Sequence, residues 1–228
     1  MLFTTIEFAM LVAIAFSIFY LVRGVFAQVG ILLIASIVFY AFSSPWLTLL
    51  LLASAIFTSW SSYEINQADT AKKRKIIACV GVMLNIFVLV FFKYAGLLVR
   101  SLENLTGASL SGAEWLVMLP LPIGISFYTF QGISMLIDTF RDSRNSQEAS
   151  EVYRSGQSLG ESLYYGSFYV IFFPQLVAGP VVKAKDFFPQ IKVKSISQIN
   201  WRLVTHSLVV GFFLKLVIAN NLQNQTFW

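Results

Sequence analysis

The feature that most constrains the fold is an uncharged stretch from Gly24 to Tyr63, 40 residues in a row. A helix that crosses the hydrocarbon core of a membrane, roughly 30 Å thick, needs about 20 residues. The stretch is therefore about two spans long. Ser43, Ser44 and Pro45 interrupt it, and proline is tolerated at the start of a helix but not in its interior. The sequence predicts a tight helical hairpin that crosses the membrane twice.

The composition of the whole chain supports a membrane protein. Of its 228 residues, 57% are apolar and only 12% are charged, whereas soluble domains carry about 25% charged residues. This excludes a disordered chain, a collagen-like chain and a soluble globule. The basic residues form short clusters between uncharged runs, which is typical of cytoplasmic loops and not of a nucleic-acid-binding face. One cysteine, Cys79, and one histidine, His206, exclude an internal disulfide and a zinc site of the usual Cys/His kind.

Five further uncharged or nearly uncharged runs follow the same pattern, at residues 8–22, 76–99, 117–137, 162–182 and 203–228. With the hairpin they make about seven hydrophobic segments. The runs at 117–137 and 162–182 contain prolines and glycines, so we do not expect them to be simple helices. The expected fold is an all-α, polytopic transmembrane protein with six to seven hydrophobic segments, in which residues 1–228 form a single domain.

Basic residues predict the orientation, because Lys and Arg are enriched on the cytoplasmic side. If the cluster Lys72–Lys75 is cytoplasmic, the three spans before it place the N-terminus outside. A single crossing by residues 162–182 would then leave five basic residues between Lys183 and Arg202 outside. A re-entrant segment that turns at Phe173-Pro174 or Gly179-Pro180 removes this conflict. Irregular backbone at membrane depth must be buried in protein or line a polar cavity, so we expect this segment to line a cavity.

Polar side chains inside the apolar runs are candidates for function, because burying each one is costly without a partner. These are Asn85, Gln131, Gln175, His206 and Lys215. They either bond to neighbouring helices or contact a substrate, and the pattern leaves both readings open. Ser and Thr in the same runs are expected to bond their own helix backbone. His206 is the only ordinary candidate for a general base near neutral pH, but its place at the start of the last run fits an interfacial residue better.

Two longer strings carry a family resemblance. Residues 119–131 read LPLPIGISFYTFQ and residues 172–180 read FFPQLVAGP. Both resemble signatures of the membrane-bound O-acyltransferase (MBOAT) family, and most closely its bacterial branch of alginate and peptidoglycan O-acetyltransferases. Shorter strings that fit the same branch are LIAS at 33–36, FYA at 39–41 and FFKY at 91–94. The matches extend from residue 2 to residue 222 and resemble the N-terminal half of such an enzyme.

The resemblance implies transfer of acetyl groups across the membrane to hydroxyls of an extracytoplasmic polysaccharide such as alginate or peptidoglycan. It implies a thioester donor, acetyl-CoA or another, and an extracytoplasmic partner protein that passes acetyl groups to the sugar. The expected location is the bacterial cytoplasmic (inner) membrane. The two strings are expected to line a tunnel, in which the tunnel or substrate-binding residues are Gln131, Gln175, Pro174, Gly179 and Pro180. No bound metal or cofactor and no nucleic-acid partner are expected.

The chain departs from the family pattern in two places. The family's catalytic histidine stands in a Trp-His-x-Ser-like string that follows the region matching Lys215 to Leu222. His206 comes before that region and follows Thr205 instead of a tryptophan, so the catalytic role is not transferred to it. Leu214 and Asn220 stand where the family usually has a basic residue and an Asp. We therefore expect this chain alone to be inactive.

Two alternatives to an acetyltransferase subunit remain at this stage. One is a non-catalytic membrane scaffold or assembly subunit left by truncation. The other is a small transporter built from broken helices, but such folds usually contain inverted repeats and none is visible in the sequence.

Overall fold

A computed structural model of the protein describes residues 5–106, 120–142, 158–180 and 182–222. Within these ranges the chain is helical and contains no strand, which confirms the expected all-α fold. It divides into two compact units, a first unit up to Lys192 and a second unit from Val193 onward. That residues 1–228 form one domain stays a prediction.

The first unit begins with three helices, α1 (Ile6–Leu21), α2 (Val25–Ser43) and α3 (Pro45–Gln67). The turn between α2 and α3 consists of Ser44 alone, and Pro45 is the first residue of α3. Proline is favoured at this position because the first helical N–H needs no partner within the helix. The hairpin predicted from the uncharged stretch is therefore confirmed at the predicted break.

The next helix, α4 (Ala71–Thr106), is one continuous helix of 36 residues. At about 1.5 Å per residue it is roughly 54 Å long, so it exceeds the hydrocarbon core and carries its basic first turns beyond it. In the described ranges, α2, α3 and α4 of the first unit are long and apolar enough to cross a membrane, and α1 is a shorter apolar helix.

Both proline-containing runs are broken, as predicted. Residues 120–124 are not helical, and α5 (Ile125–Asp142) begins directly after Gly124. The second run consists of α6 (Leu159–Ile171), a break at Phe172, and the short helix α7 (Phe173–Ala178). The helix α8 (Ala184–Phe187) and a 3₁₀ turn (Phe188–Gln190) follow.

After α7 the chain folds back onto α6. The rings of Phe187 and Phe188 lie 5.2 and 5.6 Å from the ring of Tyr169, centroid to centroid. The Tyr169 hydroxyl donates a 2.7 Å hydrogen bond to the carbonyl oxygen of Val182. A segment that reverses direction in this way is what the re-entrant interpretation requires, although the side of the membrane it returns to stays a prediction.

Helix α3 packs against α4, α5 and α6 through small residues. A Cβ atom at Gly132 of α5 would lie 3.0 Å from Thr58 Oγ1, and one at Gly166 of α6 would lie 2.5 Å from Ser59 Oγ. A Cβ atom at Gly81 of α4 would lie 2.8 Å from Leu136 of α5. Membrane helices lack a hydrophobic driving force between them, so close approach at small residues is a main source of their association.

The second unit contains a 3₁₀ turn (Ile196–Gln198) and α9 (Trp201–Phe213), which continues as a π-helix (Leu214–Ala219). The Asn200 side chain caps α9 by accepting a 3.1 Å hydrogen bond from the Leu203 N–H. Residues Trp201–Leu222 are together long and apolar enough to cross a membrane.

Candidate functional site

The two broken segments meet inside the first unit. Gly124, the last residue before α5, has φ +74°, a backbone conformation that favours glycine. A Cβ atom there would lie 2.9 Å from the backbone carbonyl oxygen of Leu176 in α7. The glycine thus allows the break before α5 to contact the backbone of α7 directly.

Two hydroxyl groups of α2 form hydrogen bonds with backbone groups at the two breaks. The Tyr40 hydroxyl of α2 donates a 2.6 Å hydrogen bond to the carbonyl oxygen of Ile123. Ser36, also on α2, accepts a 3.2 Å hydrogen bond from the N–H of Phe173 at the start of α7. Because the hydrocarbon core holds no water to replace such bonds, these two side chains make irregular backbone tolerable at this depth.

Gln175 lies in α7 and is 6% exposed. Its Nε2 donates a 3.3 Å hydrogen bond to the carbonyl oxygen of Pro180, which closes the turn after the helix. Its Oε1 is buried and has no hydrogen-bond partner in the structure. Gly179 is needed in this turn, because a Cβ atom there would lie 2.6 Å from the Cα of Gln175. Pro174 and Pro180 are exposed on the protein surface.

Gln131 lies on α5, about two turns after the break, and is 1% exposed. Neither Nε2 nor Oε1 of its amide has a hydrogen-bond partner in the structure. Tyr128, three residues earlier on the same helix, is also 1% exposed and its hydroxyl likewise has no partner. Residues three apart are neighbours on a helix surface, so α5 presents two unsatisfied polar side chains side by side.

Hydrogen bonds within the fold account for the burial of Asn85. Its Nδ2 donates hydrogen bonds to the carbonyl oxygen of Gly81 at 2.9 Å and to Thr58 Oγ1 at 3.3 Å. Of the two readings left open for Asn85, bonding to neighbouring helices is therefore the one observed.

The two remaining polar candidates lie in the second unit. His206 is on α9, in its second turn, and Lys215 is the second residue of the π-helix that follows. A π-helix is rare and is often found at functional positions. Nothing in the second unit by itself assigns a chemical role to either residue. In the part of the chain that the structure describes, no three His, Cys, Asp or Glu residues are grouped so that they could hold a metal ion.

Sequence reasoning missed Tyr128, Tyr40 and Ser36. A tyrosine three residues before a buried glutamine on a helix is a usable signal, because the spacing alone places both on one face. The roles of Tyr40 and Ser36 carried no such signal, since their partners are 83 and 137 residues away in sequence.

These features define a class of protein: a polytopic membrane protein whose helix bundle encloses broken segments and unsatisfied polar groups. Comparison with known proteins gives the family. The chain is 34% identical over 205 residues to "Peptidoglycan O-acetyltransferase" of Helicobacter pylori, covering 83% of this chain and 38% of that protein. It is 33% identical over 195 residues to "Probable alginate O-acetylase AlgI" of Pseudomonas aeruginosa, covering 84% of this chain and 35% of that protein.

A third relative, "Probable alginate O-acetylase AlgI" of Azotobacter vinelandii, is 31% identical over 195 residues, covering 84% of this chain and 36% of that protein. The chain is thus a homologue of MBOAT-family O-acetyltransferases over most of its length, which confirms the resemblance seen in its strings. It spans little more than a third of the length of these relatives. No protein-family model and no solved structure matches it.

Proposed function

We propose that the chain forms part of a membrane-bound O-acetyltransferase. The enzyme transfers acetyl groups from a thioester donor, acetyl-CoA or another acyl thioester, to hydroxyls of an extracytoplasmic polysaccharide. The names of the relatives support this reaction class. The alignments cover 83–84% of this chain and therefore include both broken segments. Alginate and peptidoglycan are the acceptors those names suggest.

The contact between the broken segments is the observation that carries the proposal. Gly124 and Leu176 bring the breaks together, and the amides of Gln131 and Gln175 are buried nearby in the same segments with unsatisfied atoms. Such groups are costly in an apolar interior. A reaction between two polar groups within a bilayer requires polar side chains of this kind, because lipid cannot solvate the reactants.

The chemistry defines what these side chains do. An acceptor hydroxyl attacks the thioester carbonyl carbon, so that a C–O bond forms, the C–S bond breaks, a base takes the hydroxyl proton and the thiolate leaves. Gln131 and Gln175 orient the donor and the acceptor hydroxyl. Pro174, Gly179 and Pro180 shape the wall, since Pro174 lies in the first turn of the short helix α7 and Gly179 and Pro180 follow its last residue.

The donor enters beside a basic segment on the cytoplasmic side. Lys183, Lys185 and Lys192 are exposed in the first unit, and clustered lysines raise the local concentration of phosphate-bearing ligands such as coenzyme A. The same lysines also suit anionic lipid headgroups. A salt titration of donor KM separates the two, because only attraction of the donor makes its KM rise with ionic strength.

The proposed setting is the inner membrane of a bacterium, with the N-terminus outside and a second, extracytoplasmic protein that hands acetyl groups to the polysaccharide. A reversal of the chain after α7 is what this orientation requires, because only a re-entrant segment would return the lysines between Lys183 and Lys192 to the side of the cluster Lys72–Lys75.

Acetyl transfer is the test. Membranes from cells that express the whole coding region of this chain are supplied with labelled acetyl-CoA, and label in the polysaccharide is compared with that from empty membranes. Label above the empty control is expected, and His206→Ala is expected to leave it unchanged. In membranes that also contain the extracytoplasmic partner, no label above the control contradicts the proposal and favours a scaffold role. Loss of label in His206→Ala would assign the base to His206.

A further inference from the structure

One face of α5 carries buried polar groups without hydrogen-bond partners. The Tyr128 hydroxyl and both amide atoms of Gln131 are buried without a hydrogen-bond partner. Together they form what we call the α5 polar pair. Hydroxyls elsewhere in the first unit do find partners: Tyr164, for example, donates a 2.6 Å hydrogen bond to the carbonyl oxygen of Phe26. Among the buried side-chain hydroxyls of the described residues only that of Tyr128 lacks a partner, and Gln131 is the amide of which both atoms lack one.

The number of donors decides which ligand the pair suits. Nε2 of Gln131 has two N–H groups and Tyr128 has one O–H, so the pair offers three donors within one turn of helix. A carbonyl oxygen accepts two hydrogen bonds and donates none. Gln175 differs, because its Nε2 already donates to Pro180 and its unpartnered atom is Oε1, an acceptor that suits a hydroxyl.

We propose that Tyr128 and Gln131 bind the carbonyl oxygen of the donor's acyl group. This inference rests on the proposed function and assigns a substrate atom to two side chains, one of which no sequence pattern had singled out. None of the three unsatisfied atoms is accessible to water, so the structure shows the pair closed. The acyl group reaches it when the neighbouring side chains move apart, and the positive-φ turn at Gly124 lies directly before the helix that carries the pair.

The pair makes an unusual prediction about stability. Replacing a buried polar group that has no partner with an apolar group of similar shape is nearly neutral or stabilising. Gln131→Leu and Tyr128→Phe are therefore expected to unfold at the same temperature as the wild type or higher. Tyr164→Phe is the matched control. It removes a hydroxyl that has a partner, so its unfolding temperature is expected to fall.

The binding test uses S-acetylpantetheine, with pantetheine as the probe that lacks only the acetyl group. The pantetheine group is common to coenzyme A and to carrier-bound thioesters, so the test does not depend on which of them is the donor. The rise in unfolding temperature with each probe is measured on the purified product of the whole coding region in detergent. Wild type and Tyr164→Phe are expected to prefer the acetylated probe. In Gln131→Leu and Tyr128→Phe this preference should fall by about three- to tenfold in affinity, the range that one lost hydrogen bond gives.

Each contrary result is informative. If Gln131→Leu and Tyr128→Phe lower the unfolding temperature of the protein, the two groups have partners within the protein and the inference is wrong. It is equally wrong if both variants keep the preference for the acetyl probe, or if the wild type has none. These outcomes leave acetyl transfer by wild-type membranes untouched, so they do not decide the proposed function. Conversely, an acetyl preference that depends on the pair would stand even if no polysaccharide were labelled.

Discussion

Gly166→Ala tests the close packing of α6 against α3 with few complications. A Cβ atom at Gly166 would lie 2.5 Å from Ser59 Oγ, 2.8 Å from Ser59 Cβ and 2.9 Å from Met135 Cε. Carbon atoms in contact are normally about 3.5–4.0 Å apart, so the new atom is at least roughly 0.7 Å too close to Ser59 Cβ. The Met135 methyl can swing away, but Ser59 Cβ is attached directly to the backbone of α3. The two helices must therefore separate.

Gly160→Ala on the same helix is the matched control, because a Cβ atom there meets nothing within 4 Å. Alanine is about 1 kcal/mol more favourable than glycine in a helix, and both variants gain this amount. The difference between them isolates the cost of overpacking, about 1–3 kcal/mol. Relative to the wild type, Gly160→Ala should be more stable by up to about 1 kcal/mol. Gly166→Ala should be unchanged or less stable by up to about 2 kcal/mol.

Thermal unfolding of both variants in detergent measures this difference. For chains of this size 1 kcal/mol corresponds to about 2–4 °C, so the Tm of Gly166→Ala should lie about 2–12 °C below that of Gly160→Ala. Adding Ser59→Gly to Gly166→Ala removes the clashing Cβ and should make the two changes less than additive. Equal Tm values for Gly160→Ala and Gly166→Ala would refute the close contact between α6 and α3.

Two further predictions concern the hydroxyls that hold the breaks. Tyr40→Phe leaves the carbonyl of Ile123 without its 2.6 Å hydrogen bond, so unfolding should become easier by about 0.5–1.5 kcal/mol; Tyr94→Phe, on an exposed ring, should change stability by less than about 0.5 kcal/mol. Ser36→Ala removes the acceptor of the Phe173 N–H, and amide hydrogen exchange at Phe173 should accelerate while exchange in the middle of α3 stays slow. Unchanged stability in Tyr40→Phe, or unchanged exchange in Ser36→Ala, would contradict the proposed support of the breaks.

The elements of the fold could be predicted where a single residue type forces the backbone. Pro45 begins α3 at the position expected for a hairpin, because proline fits the first helical turn and little else in an apolar run. The run at 162–182 is interrupted at Phe172, before Pro174, for the same reason. Local sequence is sufficient in these cases, since the constraint acts within the same few residues.

The candidate site could be predicted only in part, because its partners are distant in sequence. Gln131 and Gln175 stood out as amides within apolar runs, but nothing local indicated that Gln175 uses its Nε2 on Pro180 while Gln131 uses neither atom. Ser36 shows the limit clearly. Its hydroxyl donates a hydrogen bond to the carbonyl oxygen of Leu32 in its own helix, as serines in such runs are expected to do. A hydroxyl has two lone pairs, and the one that accepts from Phe173 is revealed only by the tertiary structure.

Two pairs of polar side chains in the first unit, Tyr40 with Ser36 and Gln131 with Tyr128, have different roles. Tyr40 and Ser36 supply hydrogen bonds to broken backbone, so that the breaks are stable whether or not a substrate is bound. The Tyr128 hydroxyl and the Gln131 amide make no hydrogen bond in the fold, and each of these polar groups costs free energy in a closed, apolar interior. Variants of Tyr40 and Ser36 should therefore lose stability first and activity as a consequence. Variants of Gln131 and Tyr128 should keep or gain stability but lose binding of the acyl group. Under the proposed function, this arrangement separates the support of the irregular backbone from the groups that contact substrate, and the opposite signs of the two stability changes make that separation measurable.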